Sequence, residues 1–242
     1  MRYALISDIH GNLEALEAVI NVLGTERIGA YLCIGDVVGY GANPKECIEI
    51  VRSLKPEVLI AGNHERGALG FLDIEYFNEN AQEAVAWTKK ILKSADLDYL
   101  KSFDLVRSIK NMTLVHGSLE APEKFYYIFN KDDASGTLRL SRTQLCFVGH
   151  SHVAGIFRFD GNAPVEVNSF KTAIEPDMKY VINIGSVGQP RDGDPRASFA
   201  IYDEEAAIME IRRVRYNIEA ASAKIMAAGL PPRFASRLAV GH

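Results

Sequence analysis

The chain has 242 residues, 48% apolar and 24% charged, with a formal net charge of −4. This composition suits a globular protein long enough to bury its own core, and the acidic balance excludes electrostatic attraction to a long nucleic-acid backbone. Three cysteines (Cys33, Cys47 and Cys146) are odd in number and show no paired spacing, which fits a reducing compartment rather than a disulfide framework.

"YALISDI" (3–9) is a short apolar run that ends in polar residues, the pattern of a strand buried on both faces. Leu13, Leu16, Ile20 and Leu23 then recur at helical spacing, with Asn12 placed to cap. "AYLCIGD" (30–36) predicts a second strand, 42–54 a helix with Pro44 in its first turn, and "EVLIAGN" (57–63) a third strand. This alternation calls for parallel pairing. Residues 67–102 read as a helical insertion, clearest in "NENAQEAVAWTKKILK", where packing against Ala84 and Ile91 accounts for Trp87.

Strand-like runs at 112–118, 144–150, 153–160, 180–186, 197–203 and 207–216 follow with turn-like connections, so the second half is expected to be antiparallel or mixed. The last run carries Arg212, Arg213 and Arg215 and reads as an exposed or edge strand, a solvated edge being the better reading of its basic cluster. Residues 119–143 are expected to hold a short helix and a mobile loop. "NIEAASAKIMAAG" closes as a helix, and the apolar tail "GLPPRFASRLAV" is expected to pack on the protein's own surface or on a second copy, which leaves a homo-oligomer open. The order of elements predicts one α/β domain over 1–242. Its architecture is a four-layer α-β-β-α sandwich of two mixed sheets with helices on the outer faces, an insertion at about 67–102, and a C-terminal helix and tail at about 217–242. No apolar run is long enough to span a bilayer, and no basic, apolar leader opens the sequence, so a cytoplasmic protein is expected.

Polar residues collect where the strands end. Asp8 and His10 close the first, Gly35-Asp36 the second, Gly62-Asn63-His64 the third, His116 a later one, and Gly149-His150-Ser151-His152 another. Five of the six histidines therefore fall at strand ends, where open α/β sheets bind their ligands. In extended chain, residues i and i+2 point the same way, so Asp8 with His10, and His150 with His152, are expected to aim at common points. Any one such pair is usually structural. The whole set has no good apolar fate, because unpaired buried charges cost several kcal/mol each. Divalent metal resolves that cost. Nitrogen and oxygen donors without thiolate suit Mn, Fe, Co, Ni or Zn, and the number of donors fits two ions sharing a carboxylate better than one.

Taken together, "DIHGN" (8–12), "GDVVGYG" (35–41), "GNHE" (62–65), "HGS" (116–118) and "GHSH" (149–152) resemble the signature blocks of the calcineurin-like metallophosphoesterases. "NIGSVGQPRDGDPRASFAIYD" (183–203) is similar to the C-terminal strand pair of a bacterial and archaeal branch of predicted phosphodiesterases related to diadenosine tetraphosphatases. The resemblance implies that Asp8, His10 and His152 hold one metal ion and Asn63, His116 and His150 a second, with Asp36 bridging. It implies manganese first, with Fe, Zn, Ni or Co as alternatives. A water or hydroxide shared by the ions would attack, and His64 would stand by the leaving-group oxygen as a catalytic residue.

The implied substrate is a small phosphodiester or nucleotide, such as a cyclic nucleotide or dinucleoside polyphosphate, with no long nucleic acid and no membrane as partners. Phosphomonoester hydrolysis is the alternative on the same site. A non-catalytic scaffold, as in a retromer subunit of the superfamily, is disfavoured because the histidine of "GNH" is intact. Phosphoprotein phosphatases carry "GDxVDRG", whereas Gly39 and Tyr40 stand in those places here, which leaves open what orients His64. Substrate contacts are expected from Asn12, Tyr40 and Arg191. Against these stand a simple helix cap for Asn12, a loop plug for Tyr40, and turn ion pairs with Asp192 or Asp194 for Arg191 or Arg196; Arg66 is a further candidate cation.

Overall fold

The computed structural model describes residues 1–242. It opens with β1 (Arg2–Ile6), α1 (Leu13–Leu23), β2 (Ala30–Cys33), α2 (Pro44–Ser53) and β3 (Val58–Leu59). The three strands pair in parallel, with the two helices as the crossovers that parallel neighbours require. Next come α3 (Asn63–Ala68), α4 (Glu79–Ile91) and α5 (Ser94–Lys101), then β4 (Val106–Ile109), β5 (Met112–Val115), α6 (Lys131–Leu140), β6 (Leu145–Val148), β7 (Gly155–Phe159), β8 (Pro164–Glu166), β9 (Lys171–Ala173) and β10 (Lys179–Asn183). The chain closes with β11 (Ala197–Asp203), β12 (Ile208–Val214), α7 (Ile218–Ala227) and α8 (Pro232–Leu238).

Two six-stranded sheets result, ordered β3-β2-β1-β11-β12-β9 and β4-β5-β6-β10-β7-β8. Both are mixed: β5, β6 and β10 run parallel in the second, and the remaining pairs are antiparallel. The period of two in β1 explains its unbroken apolar run. Tyr3 and Leu5 face the second sheet, meeting Phe147, Tyr180 and Ile182, while Ala4 and Ile6 face α1 and α2. On the far side, Val115, Cys146 and Val148 pack against Ala134 and Leu138 of α6. These are the four layers expected from the sequence. All three cysteines are buried and unpaired.

The expectations for β12 are corrected, whereas a helix within 119–143 and a tail packed on the protein's own surface are found as expected. β12 is not an edge strand, because β9 pairs along it, a short exposed segment without apolar periodicity. Two of the three arginines of its basic cluster are not free in solvent: Arg212 pairs with Glu26 and Glu210, and the nearly buried Arg213 pairs with Asp192, while Arg215 is exposed as expected. Residues 119–143 hold a single 3-10 turn (Pro122–Lys124) and α6. The tail forms α8, which lies on the protein's own surface: Phe234, Ala235 and Leu238 pack on Ala84 of α4 and on Ala221 and Ile225 of α7. No helix is long and apolar enough to cross a membrane.

Because Ile182 is fully buried between the sheets, Ile182→Ala is expected to cost about 3 kcal/mol through lost transfer energy and cavity formation. Chemical denaturation, read as a lower midpoint at unchanged m-value, checks this.

Candidate metal centre

Each strand that points at the centre stops early, and the chain turns sharply before the polar residue. β1 ends at Ile6, β2 at Cys33 and β6 at Val148. Beyond those ends, Asp8 (φ 52°), His10 (49°), Asp36 (51°), His150 (65°) and His152 (60°) all adopt left-handed backbone. Convergence of Asp8 with His10, and of His150 with His152, therefore comes from successive left-handed corners and not from strand alternation. Each such residue costs about 1 kcal/mol, which the surrounding structure must offset.

The offset is a lattice of hydrogen bonds between the turns themselves. Asp8 N donates to Gly35 O and His10 N to Asp36 O, both at 2.9 Å, while Gly149 N donates to His116 O at 2.9 Å. Ser186 Oγ and Gly188 N both donate to Asp8 O, at 2.7 and 2.9 Å. Glu65, fully buried in the first turn of α3, accepts from four backbone amides. Gly62 N and Asp36 N reach its Oε2 at 2.8 Å, and Val37 N and Val38 N reach Oε1 at 2.7 and 3.2 Å. One carboxylate thus ties "GDVV" to "GNHE". The sequence quotes Glu65 within a motif, yet nothing in its spacing signals burial.

Seven residues expected as ligands meet here, all at least 95% buried. One ligand atom each from Asp8, His10 and His152 lies within 4.8 Å of the others, and so it is for Asp36, His116 and His150. Three rings are anchored identically: Nδ1 donates to a backbone carbonyl, Val38 O for His10, Ile34 O for His116 and Gln189 O for His152. That fixes the orientation of each ring and turns each Nε2 inward. His10 Nε2 and His152 Nε2 face each other at 3.0 Å. His116 Nε2 lies 3.1 Å from Asp36 Oδ2 without the alignment of a hydrogen bond. His150 Nε2 and Asn63 Oδ1 are buried with no partner.

Electrostatics agree with a missing positive charge. Burial works against ionisation of Asp8 and Asp36, yet the neighbouring histidines hold both below the ordinary carboxylate range. Burial likewise opposes a charged His116, but Asp36 and Asp8 hold it up to about 10. Burial lowers His10, His150 and His152. Two carboxylates thus face a single cationic ring, and facing lone pairs have nothing between them. Divalent cations fit this donor set: imidazole nitrogen, carboxylate and one amide oxygen, with no thiolate.

His64 joins His10 and Asp36 within 4.8 Å. Its N–H donates to Asp36 Oδ1 at 2.9 Å, and its Nδ1 has no partner. Rings orient it instead of an acid: Tyr40 at 4.4 Å, His10 at 4.9 Å and Phe77 at 5.3 Å between centroids. Gly39 (φ 94°) makes room, since a Cβ there would strike the His64 ring. Glycine in place of the phosphatase aspartate is therefore a packing requirement. Burial lowers His64 to about 4 against the pull of Asp36.

Of the expected substrate contacts, Asn12 is corrected. Its Oδ1 accepts from Ala15 N at 3.1 Å and its Nδ2 donates to Gly188 O at 2.8 Å, so both ends of the amide are engaged as a cap and a tether. Tyr40 is wedged among His10, His64 and Phe234. Arg191 lies over the Tyr40 ring and bonds Gln189, not an acid; Asp192 pairs with Arg213 and Asp194 with Arg196. Arg66 covers Phe71, away from the centre. Sequence reasoning missed Asn183, whose Nδ2 holds Gly149 O and Ser151 Oγ at 2.8 Å, and Tyr127, stacked on His150 at 4.0 Å and 12°.

Glu65→Gln turns an amide NH2 toward two of the four donors. It is expected to lower stability by about 3 kcal/mol, seen as a reduced melting temperature, with weaker uptake of divalent ions by the distorted turns.

Known proteins are similar along the whole chain. An uncharacterised protein of Methanocaldococcus jannaschii is 41% identical over 245 residues, spanning 99% of this chain and 98% of that one. The crystal structure of a metallophosphoesterase from Sphaerobacter thermophilus is 39% identical, with a TM-score of 0.88 over 100% of this chain and 99% of that one. A hypothetical protein of Pyrococcus horikoshii, 20% identical, shares the fold at a TM-score of 0.80 over 100% of this chain and 98% of that one. Residues 1–207 match the model of the calcineurin-like phosphoesterase superfamily domain. With that match across both sheets and every turn of the centre, the chain belongs to the calcineurin-like phosphoesterase superfamily.

Proposed function

We propose that this chain is a phosphodiesterase using two divalent transition-metal ions, manganese foremost, on a small phosphodiester or nucleotide. The observation carrying this reading is the pair of buried triads, Asp8/His10/His152 and Asp36/His116/His150, with Nε2 of His116 and His150 and Oδ1 of Asn63 left without a partner. The first triad would hold one ion and the second, completed by Asn63, the other, with Asp36 between them. Ions bound there would supply Lewis-acid chemistry, neutralising phosphate charge and making water nucleophilic near neutral pH.

The chain's own residues do the rest. The Nδ1 anchors of His10, His116 and His152 hold the rings so that no reorganisation is needed on binding. His64, neutral at pH 7 in the free protein because of burial, gains a proton when an incoming phosphate offsets that burial, and then delivers it to the leaving oxygen. Arg191 faces the same region and balances phosphate charge. No cysteine serves as a nucleophile, since burial raises all three thiols.

Purified protein is expected to carry two divalent ions per chain by metal analysis. With Mn²⁺ it is expected to hydrolyse bis-p-nitrophenyl phosphate faster than p-nitrophenyl phosphate; the opposite preference would indicate a monoesterase. His64→Ala is expected to keep both ions and lose about 10²-fold or more in kcat, whereas Asp36→Asn loses ions and activity together. Wild-type rates in both variants would refute the reading. Chelation is expected to lower the melting temperature, because the two buried carboxylates lose their counter-charge.

A further inference from the structure

Beside the centre lies a cleft of about 440 Å³, lined by Tyr40, Tyr127, Arg191, Arg233, Phe234 and Arg237 and closed by residues 78–80 at the start of α4, among them one acid, Glu79. Its size suits a small-molecule ligand. The three arginines come from two distant segments, the turn after β10 and the helix α8. Arg191 and Arg237 both donate to Gln189 Oε1, at 2.8 and 3.1 Å, and Arg237 also donates to His242 O. No aspartate or glutamate side chain is paired with any of the three, in contrast to Arg196 and Arg213 nearby. Arg191 Nε is buried without a partner. Burial, together with the charges of Arg191 and Arg233, lowers Arg237 to about 10. Gathering like charges in this way is unfavourable until an anion joins them.

The cleft leads directly to the triads. Arg191 N donates to His152 O at 3.1 Å, and Tyr40 touches His10 and His64 from the other side. Next to the arginines stands a column of rings: His150, then Tyr127 at 4.0 Å, then Phe129 at 5.2 Å and 19°. Phe129 is 53% exposed, so the column ends in an open aromatic face. A second hollow of about 340 Å³ near Asp194, Arg196 and Tyr216 gathers fewer cations, since Arg196 is already paired with Asp194 and only Arg215 remains.

Resting on the phosphodiesterase reading above, we propose that the substrate is a nucleotide bearing a phosphate chain. Its scissile phosphorus lies at the Asp–His centre, the next phosphate on Arg191, Arg233 and Arg237, and its base on the Phe129–Tyr127 column. Hydrolysis adds one water: its oxygen bonds to phosphorus, the bond to the next bridging oxygen breaks, and that oxygen leaves with the electron pair and takes the proton of His64, while the water's proton passes to solvent. Arginine forks suit phosphate oxygens, and open aromatic faces accept any base.

Calorimetry on metal-loaded His64→Ala protein, which keeps both ions and turns over slowly, with AMP, ADP, ATP and inorganic tripolyphosphate tests this without relying on turnover, the further variants being made in that background. Affinity is expected to rise about tenfold or more from AMP to ATP through the added charge-assisted bonds. Arg233→Gln and Arg237→Gln are each expected to remove most of that rise, and Phe129→Ala to weaken ATP but not tripolyphosphate. Arg233 is exposed on α8, so its variant decides the matter if Arg237→Gln fails to fold. Equal affinity for AMP and ATP, or a wild-type rise in Arg233→Gln, overturns the proposal. Hydrolysis of bis-p-nitrophenyl phosphate by the wild type reports separately on the underlying reading: if that activity stands while phosphate number has no effect, only the nucleotide-chain proposal falls.

Discussion

Two carboxylates buried among imidazoles, with too little positive charge to balance them, are the constraint around which this molecule is organised. Asp8 and Asp36 are 0% and 1% exposed, and a buried charge without compensation costs several kcal/mol. Left-handed backbone at five of the residues that face each other adds to that burden. The sandwich keeps the turns from relaxing away from that burden, and the bonds between the turns offset it. Each strand leading to the centre is apolar on two faces, locked between its neighbour sheet and a helical layer, so the strand ends cannot retreat.

Rigidity at the centre comes from turn-to-turn bonding more than from the strands. Glu65 gathers four amides from two turns, Asn183 fastens the turn that carries His150 and His152, and Asp8 O is held by the turn after β10. A shift in any one of these turns therefore moves the others. The same logic accounts for Gly39: the ring of His64 occupies the volume that a side chain would need, and neighbouring rings take over the orienting role that an acid performs in the phosphoprotein phosphatases.

How much of this was legible in the sequence depended on range. The buried strands and their polar ends could be read from periodicity, because a strand covered on both faces has nowhere to place a charge except at its end. The left-handed corners could not, since an L-residue at positive φ leaves no mark in composition, and Asp8 and His10 converge by a route that strand alternation misdescribes. β9 escaped notice because three exposed residues carry no pattern, and without it the arginines of β12 looked solvated. Asn12 was legible as a cap; that its amide nitrogen is also tied down depends on Gly188, 176 positions away. Tyr127 lies in "FYYIF", where nothing local distinguishes the ring that meets His150 from its neighbours.

α8 rests on α4 and α7, and neither sheet supplies the residues that hold it. The wall of the cleft is thus assembled from peripheral segments braced against one another, while the candidate metal ligands are anchored in the interior. Swaps at the solvent-facing positions of α8 can consequently redraw the wall of the cleft, whereas Phe234 and Arg237 also touch Tyr40 and Gln189 and so reach the interior. A scaffold partitioned in this manner lends itself to acquiring new preferences by small steps at its margin.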